Sequence, residues 1–163
     1  MTTIELRRLG LSDLRAIEEI ERRSYRTPWS RSMFAGELAK ASSICLGAWE
    51  GERLVGYVVN SRYVDAWHVM NVAVDPDFQR RGIATRLLER LFELTRDDQR
   101  RGYTLEVRVS NETAIGLYER LGFESRGLRR GYYTDNREDA LVMWKDPPRS
   151  ADSSLLAPRS ETA

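Results

Sequence analysis

The stretch Asn71 to Glu89, NVAVDPDFQRRGIATRLLE, constrains this chain more than any other. An apolar run leaves through Asp75-Pro76-Asp77, and the loop Gln79-Arg80-Arg81-Gly82-Ile83-Ala84 follows. A helical pattern then begins, with Leu87, Leu88, Leu91 and Leu94 on one face and Arg86, Glu89, Arg90 and Glu93 elsewhere. Strand, turn, glycine loop and helix in that order make an anion cradle. The first amides of a helix have no intrahelical acceptor and carry partial positive charge. A glycine lets the backbone approach the anion without a side chain between them. The loop has neither the lysine-serine/threonine pair of a P-loop nor the three glycines of a dinucleotide fingerprint. Its residues alone therefore leave a plain turn as an alternative to phosphate binding.

On the N-terminal side, Ile4 to Leu9 reads as a first strand. Ser12 is placed to cap a helix with Leu14, Ile17 and Ile20 at helical spacing. The charged residues Glu18, Glu19, Glu21, Arg22 and Arg23 read as its solvated face. Pro28 interrupts the pattern. Ser30 opens a second helix to about Ala41, with Met33, Phe34 and Leu38 inward, and Trp29 at the break is either a core plug or the lining of a substrate mouth. The period then becomes that of strands. Ile44 to Trp49 and Leu54 to Val59 flank a turn-rich gap, and Trp67 to Val74 follows.

On the C-terminal side, the helix of the opening stretch is expected to end near Asp98. Tyr103 to Val109 alternates as a strand, so strand, helix and strand form a right-handed βαβ unit with parallel strands. Asn111 caps Glu112 to Leu121 and Gly122 stops it. Phe123 to Tyr133 and Asp139 to Trp144 read as two strands joined by a polar loop. The pattern predicts one α/β domain over residues 1–145. It has a mixed central sheet, antiparallel in its N-terminal meander and parallel at its centre, with about four flanking helices. Prolines, serines and mixed charges predict a disordered tail over residues 146–163.

Composition closes several routes. With 26 basic and 25 acidic residues the net charge is +1, which gives no global attraction to nucleic acid or an anionic membrane. One cysteine, Cys45, and one histidine, His68, exclude a disulfide framework and any cysteine- or histidine-rich metal site, so no metal is expected. Without a signal peptide pattern or an apolar membrane span, a cytoplasmic protein is expected.

Glu106 stands out because a glutamate in an apolar central strand is costly to bury unless paired. Burial would raise its pKa toward neutrality, as suits a general base. Exposure at the strand end, or pairing with Arg108 or another cation, remains the alternative. Tyr118 shares a helix face with Asn111, where a tyrosine is either core or catalyst. Gly116 costs about 1 kcal/mol against alanine in that helix, which makes sense if something packs closely against its turn. His68 reads as a packed or hydrogen-bonded residue and Cys45 as a small core residue.

Together these pieces resemble the GCN5-related N-acetyltransferase (GNAT) superfamily, and within it the RimI-type N-terminal-alanine acetyltransferases. Gln79, Gly82 and Ala84 fall on the three defined places of the superfamily's acetyl-CoA signature, Gln/Arg-x-x-Gly-x-Gly/Ala, with Ala84 where many relatives have glycine. Further support comes from Pro28-Trp29-Ser30, Asn71 to Asp77, Leu105 to Arg108, Ser110-Asn111, Ala114 to Glu119, Arg129 to Tyr133 and Arg137 to Ala140. The resemblance spans Ile4 to Lys145. It implies acetyl-CoA as co-substrate and no metal, with a protein N-terminus, that of a small-subunit ribosomal protein, as acceptor; acetylation of protein lysines or a small amine, or CoA binding without catalysis, are the alternatives. Val72, Ala73 and Val74 would meet the pantetheine arm and thioester at a splayed strand, and the Val72 amide would face the oxyanion. Arg80, Arg81, Gly82, Ile83, Ala84 and Thr85 would hold the pyrophosphate, and Asn111 would touch the cofactor across the splay. Glu106 would be the general base and Tyr118 the acid that protonates the departing thiolate. Tyr132-Tyr133 and Pro28-Trp29 would shape the acceptor's entrance.

Overall fold

A computed structural model describes residues 3–98 and 100–147. The tail expected to be disordered lies, from residue 148 onward, outside the described residues. Seven strands lie among the described residues, β1 (Ile4–Arg8), β2 (Ser43–Glu50), β3 (Arg53–Tyr63), β4 (Ala66–Val74), β5 (Tyr103–Arg108), β6 (Glu124–Arg129) and β7 (Ala140–Lys145). The helices are α1 (Leu14–Ser24), α2 (Arg31–Ala39), α3 (Ile83–Leu94) and α4 (Glu112–Arg120). One mixed sheet runs in the order β1-β2-β3-β4-β5-β7-β6. Only β4 and β5 pair in parallel, joined through α3, and the other neighbours are antiparallel. The expected fold class and the βαβ centre are therefore present.

Alternating side chains send the sheet's apolar residues to two cores. Val58, Val69, Leu105 and Val107 meet Leu87, Leu88 and Leu91 of α3 and Tyr118 of α4 on one face. Cys45, Tyr57, Val59 and Ala73 meet Ile17, Ile20 and Phe34 of α1 and α2 on the other.

Two irregularities in β4 shape the centre. Val59 faces Asn71 and Asn60 faces Val69, so Met70 is the extra residue of a bulge. The parallel ladder to β5 holds only Trp67↔Tyr103 and His68↔Thr104. Beyond that point the strands part, and the C-terminal half of β4 has no partner on its β5 side.

Several local expectations need correction. Ser12 does not cap α1. It lies in a 3₁₀ turn, Leu11–Asp13, where the Asp13 carboxylate accepts the Gly10 N–H at 2.8 Å. Ser30 does cap α2, accepting from Met33 N–H. Met33 itself is 48% exposed and Leu94 is also exposed, so neither faces a core. Glu21 leaves the solvated face altogether, since it is 2% exposed. The strand expected to reach Tyr133 ends at Arg129, which puts Tyr132 and Tyr133 in a loop, and α3 ends at Leu94 rather than near Asp98.

Candidate active site

The loop from β4 to α3 is shaped by its own residues and clamped by two arginines from outside it. The Asp75 carboxylate accepts the Asp77 N–H at 2.9 Å and caps a 3₁₀ turn, Pro76–Phe78. Arg23 at 3.0 Å and Arg53 at 3.1 Å hold the same carboxylate. Phe78 is buried beneath the Arg53 and Arg81 guanidiniums, which lie 4.9 and 4.8 Å from its ring centroid. Two left-handed residues, Arg80 at φ 65° and Gly82 at φ 74°, then turn the chain into α3. Such a conformation costs a non-glycine residue about 1 kcal/mol or more. Gly82 is the N-cap of α3 and supplies no side-chain acceptor, and the first turn holds no acidic residue. A Cβ at Gly82 would meet nothing within 4 Å, so the space before the helix is open. The amides of Ile83, Ala84 and Thr85 stand at this uncapped start, where an anion is favoured.

At the gap between β4 and β5, side chains converge from both faces of the sheet. From α1's side, the Tyr25 hydroxyl donates to the Val72 carbonyl. Tyr118, on α4, is buried with its ring edge-on to Phe123 at 5.7 Å. Burial, then the neighbouring Tyr133, pushes the Tyr118 phenol up to about 12, so it stays protonated at neutral pH. Tyr25 is likewise held protonated by burial of its hydroxyl end, then by Tyr118, Glu21 and Tyr133.

Glu106 lies on β5, on the sheet face opposite Leu105 and Val107. Its Oε2 is 2.6 Å from His68 Nε2 across the parting strands, and its Oε1 is 3.9 Å from the Arg129 guanidinium. The His68 hydrogen bond, against the opposing pull of burial and with help from the charges of His68 and Arg129, holds the carboxyl below its ordinary range. Of the readings open from the sequence, the paired one fits, and its partners are His68 and Arg129, which sequence spacing does not reveal. Arg108 takes no part in that pairing. It reaches Asp135 at 3.0 Å, Asn136 at 3.1 Å and Glu138 at 3.3 Å, and lies 4.0 Å from the Tyr133 ring centroid. It thereby pins the loop that carries Tyr132 and Tyr133.

Asn111 caps α4 through its Oδ1, which accepts the Ala114 N–H at 3.1 Å. Trp29 is packed as well as placed at the break, with its ring 5.1 Å from Phe34 and its backbone N–H donating to Glu21 at 2.9 Å. Gly116 has no close protein neighbour beyond the Arg120 guanidinium, 3.4 Å from a Cβ built there. Packing within the chain does not explain that glycine. Cys45 is buried, and burial pushes its thiol up to about 11, which disqualifies it as a nucleophile at neutral pH.

Residues 14–123 match the model of the Acetyltransferase (GNAT) family. The chain belongs to the GNAT family. It is 38% identical over 148 residues to the [ribosomal protein bS18]-alanine N-acetyltransferase of Salmonella typhimurium, covering 88% of this chain and 96% of that one. The crystal structure of the ribosomal-protein-S18-alanine N-acetyltransferase from Escherichia coli superposes with a TM-score of 0.84 at 34% identity, over 91% of this chain and 97% of the other. The Arabidopsis thaliana NAA60 structure in complex with acetyl-CoA shares the fold, with a TM-score of 0.78 at 22% identity over 88% and 99% of the two chains. GNAT acetyltransferases use acetyl-CoA, and this chain is an acetyl-CoA-dependent N-acetyltransferase. The open, uncapped start of α3 fits a diphosphate. Among the described residues no group of three or more His, Cys, Asp or Glu side chains could hold a metal ion, and no helix is long and apolar enough to cross a membrane.

The partners of four residues around this candidate site are not legible in the sequence. His68 and Tyr25 touch it across 38 and 47 residues of chain, and Glu21 reaches Asn71 across 50. Arg108 was noticed only as a possible partner for Glu106. The one available signal was Tyr25's place just before Pro28-Trp29, at a break that already read as an entrance.

Proposed function

We propose that this enzyme acetylates the N-terminal amine of a protein by direct attack, with Glu106 as general base and Tyr118 as general acid. The observation that carries the reading is the parting of β4 and β5 beyond His68 and Thr104. It leaves a route through the sheet with a carboxylate on one face and a buried phenol on the other. Acetyl-CoA supplies the thioester carbonyl and the thiolate leaving group. Arg80, Arg81, Gly82, Ile83, Ala84 and Thr85 hold its pyrophosphate, chiefly by backbone amides. Val72, Ala73 and Val74 hold the arm, with Asn111 on the far side.

An N-terminal amine has a pKa of about 7.7–8.0 and is mostly protonated near neutral pH. It must lose a proton before it can attack, and Glu106 accepts that proton directly or through a water. The N–C bond forms first, putting the carbonyl's electron pair on oxygen, and the tetrahedral species then collapses with cleavage of the C–S bond. The Val72 N–H stabilises the oxyanion, and Tyr118 donates its proton to the thiolate and is later reprotonated from solvent. Tyr25 holds the Val72 carbonyl and so steadies the same residue's peptide groups. No acetyl group rests on the enzyme, because Cys45 is sealed in a core.

The acceptor best supported is the N-terminal alanine of ribosomal protein bS18, on the likeness to the Salmonella enzyme along nearly its whole length. Such an acceptor makes the cytoplasm the place of action and requires neither nucleic-acid nor membrane contact. Residues 1–145 form the catalytic domain. Mass spectrometry of purified small-subunit proteins after incubation with enzyme and acetyl-CoA tests the reading. One acetyl group on the α-amine of bS18 is expected. Modification of lysine side chains alone, equally on peptides with blocked N-termini, would replace it with lysine acetylation. A covalent acetyl-enzyme trapped on denaturation would contradict direct attack.

A further inference from the structure

We propose that His68 is a positioning residue for Glu106, fixing one carboxylate oxygen so that the other accepts the proton of the incoming amine. The inference rests on the assignment of Glu106 as the base. Its geometric ground is the place where the sheet opens. His68 is the last residue of β4 paired with β5, opposite Thr104, and Glu106 lies two residues further along β5. The imidazole therefore spans the first step of the gap, with Nε2 2.6 Å from Oε2. The other oxygen, Oε1, has the Arg129 guanidinium at 3.9 Å, beyond hydrogen-bonding reach. One oxygen is tied and the other is not.

That asymmetry matters because a carboxylate on a flexible side chain can turn either oxygen, or neither, toward a substrate. A misplacement of about 1 Å can cost roughly 100-fold in rate. Charge adds a second reason. The groups that face Glu106 are His68 from β4, Arg129 from β6, and Tyr132 and Tyr133 from the loop after β6. Of these, the His68 hydrogen bond does most to keep the carboxyl ionised, while burial works against it. Without His68, burial opposes only the more distant Arg129, and the midpoint of the carboxyl rises.

The test uses His68→Ala, His68→Gln and Glu106→Gln in the full-length enzyme. The imidazole is partly exposed, its side chain 32% accessible, so replacing it leaves both cores intact. The carboxyl carbon of Glu106 is followed by ¹³C NMR through an acid titration and assigned by its disappearance in Glu106→Gln. Its midpoint is expected to rise in His68→Ala. In the same variant kcat/KM for an alanine-terminated peptide is expected to fall roughly 10- to 100-fold near neutral pH. His68→Gln keeps an N–H donor of similar reach and is expected to restore most of both. An unchanged midpoint together with unchanged kcat/KM in His68→Ala overturns the role, as does an equal loss in His68→Ala and His68→Gln with no movement of the midpoint. Glu106→Gln separates this result from the reading beneath it. Full activity there removes Glu106 as the base whatever His68 does. Lost activity there, beside untouched activity in His68→Ala, removes the role of His68 alone.

Discussion

Of the glutamates on the α1/α2 side of the sheet, Glu21 and Glu106 are treated in opposite ways. Glu21 is sealed. Its Oε1 accepts from the Tyr57 hydroxyl and from Asn71 Nδ2 at 2.9 Å, and its Oε2 accepts the Trp29 N–H at 2.9 Å. Glu106 is poised. It has one close partner, His68, and its side chain remains 12% accessible beside the gap. Both carboxylates are compensated, as burial demands. The saturated one ties α1, β3, β4 and the approach to α2 into one frame, while the other keeps an oxygen for chemistry. A buried charge is thus a functional candidate when its hydrogen bonds are incomplete, and a structural one when they are full.

The sharpest ways to break that comparison follow in order of expected effect. Tyr118→Phe removes only the hydroxyl across the gap from Glu106. Loss of a general acid predicts a fall in kcat of roughly 100-fold or more, with acetyl-CoA affinity by calorimetry close to the parent's. Glu21→Gln keeps the shape but weakens an acceptor with three donors. It should cost roughly 1–3 kcal/mol of stability in urea denaturation, while the folded fraction keeps most of its kcat. Gly116→Ala tests a position that no protein group crowds. It should stabilise the enzyme by up to about 1 kcal/mol and weaken acetyl-CoA binding if the co-substrate packs against that turn. Unchanged affinity would leave the glycine without a role.

Acid stability gives the smallest effect. Burial alone would raise Asp75, yet the Asp77 N–H, Arg53 and Arg23 hold it below its ordinary 3.8. A depressed folded-state pKa contributes stability above the unfolded value and loses it as the pH falls through the folded one. Asp75→Asn should therefore flatten the loss of stability below about pH 4, measured by thermal melts across that range.

The comparison also explains which parts of the molecule were legible beforehand. The turns of the loop from Asp75 to Gly82 are made by neighbours in sequence, although Arg23 and Arg53 clamp it from afar. A capping carboxylate, a buried Phe78 and a left-handed glycine all act within a few residues, so the cradle could be read in order. The alternation of β5 likewise placed Leu105 and Val107 in a core and Glu106 on the other face. What could not be read was the partner of each charge. Glu21 sits in a run of charges and looks solvated until Tyr57 and Asn71 arrive from two strands. Glu106 reads equally as a group raised by burial or as one paired with a cation until β4 brings His68 beside it. Arg108 is two residues from Glu106, yet its charge is spent on the loop from Asp135 to Glu138. Long-range pairing decides these cases, and no period in the sequence encodes it.

The difference between the sealed and the poised carboxylate is tested most directly by kcat/KM of Glu106→Gln and Glu21→Gln on one alanine-terminated peptide, each corrected for its folded fraction. Glu106→Gln is expected to lose roughly 100- to 10,000-fold while still binding acetyl-CoA, and Glu21→Gln to stay within about 10-fold of the parent. Comparable losses in the two variants, or full activity in Glu106→Gln, would contradict the account.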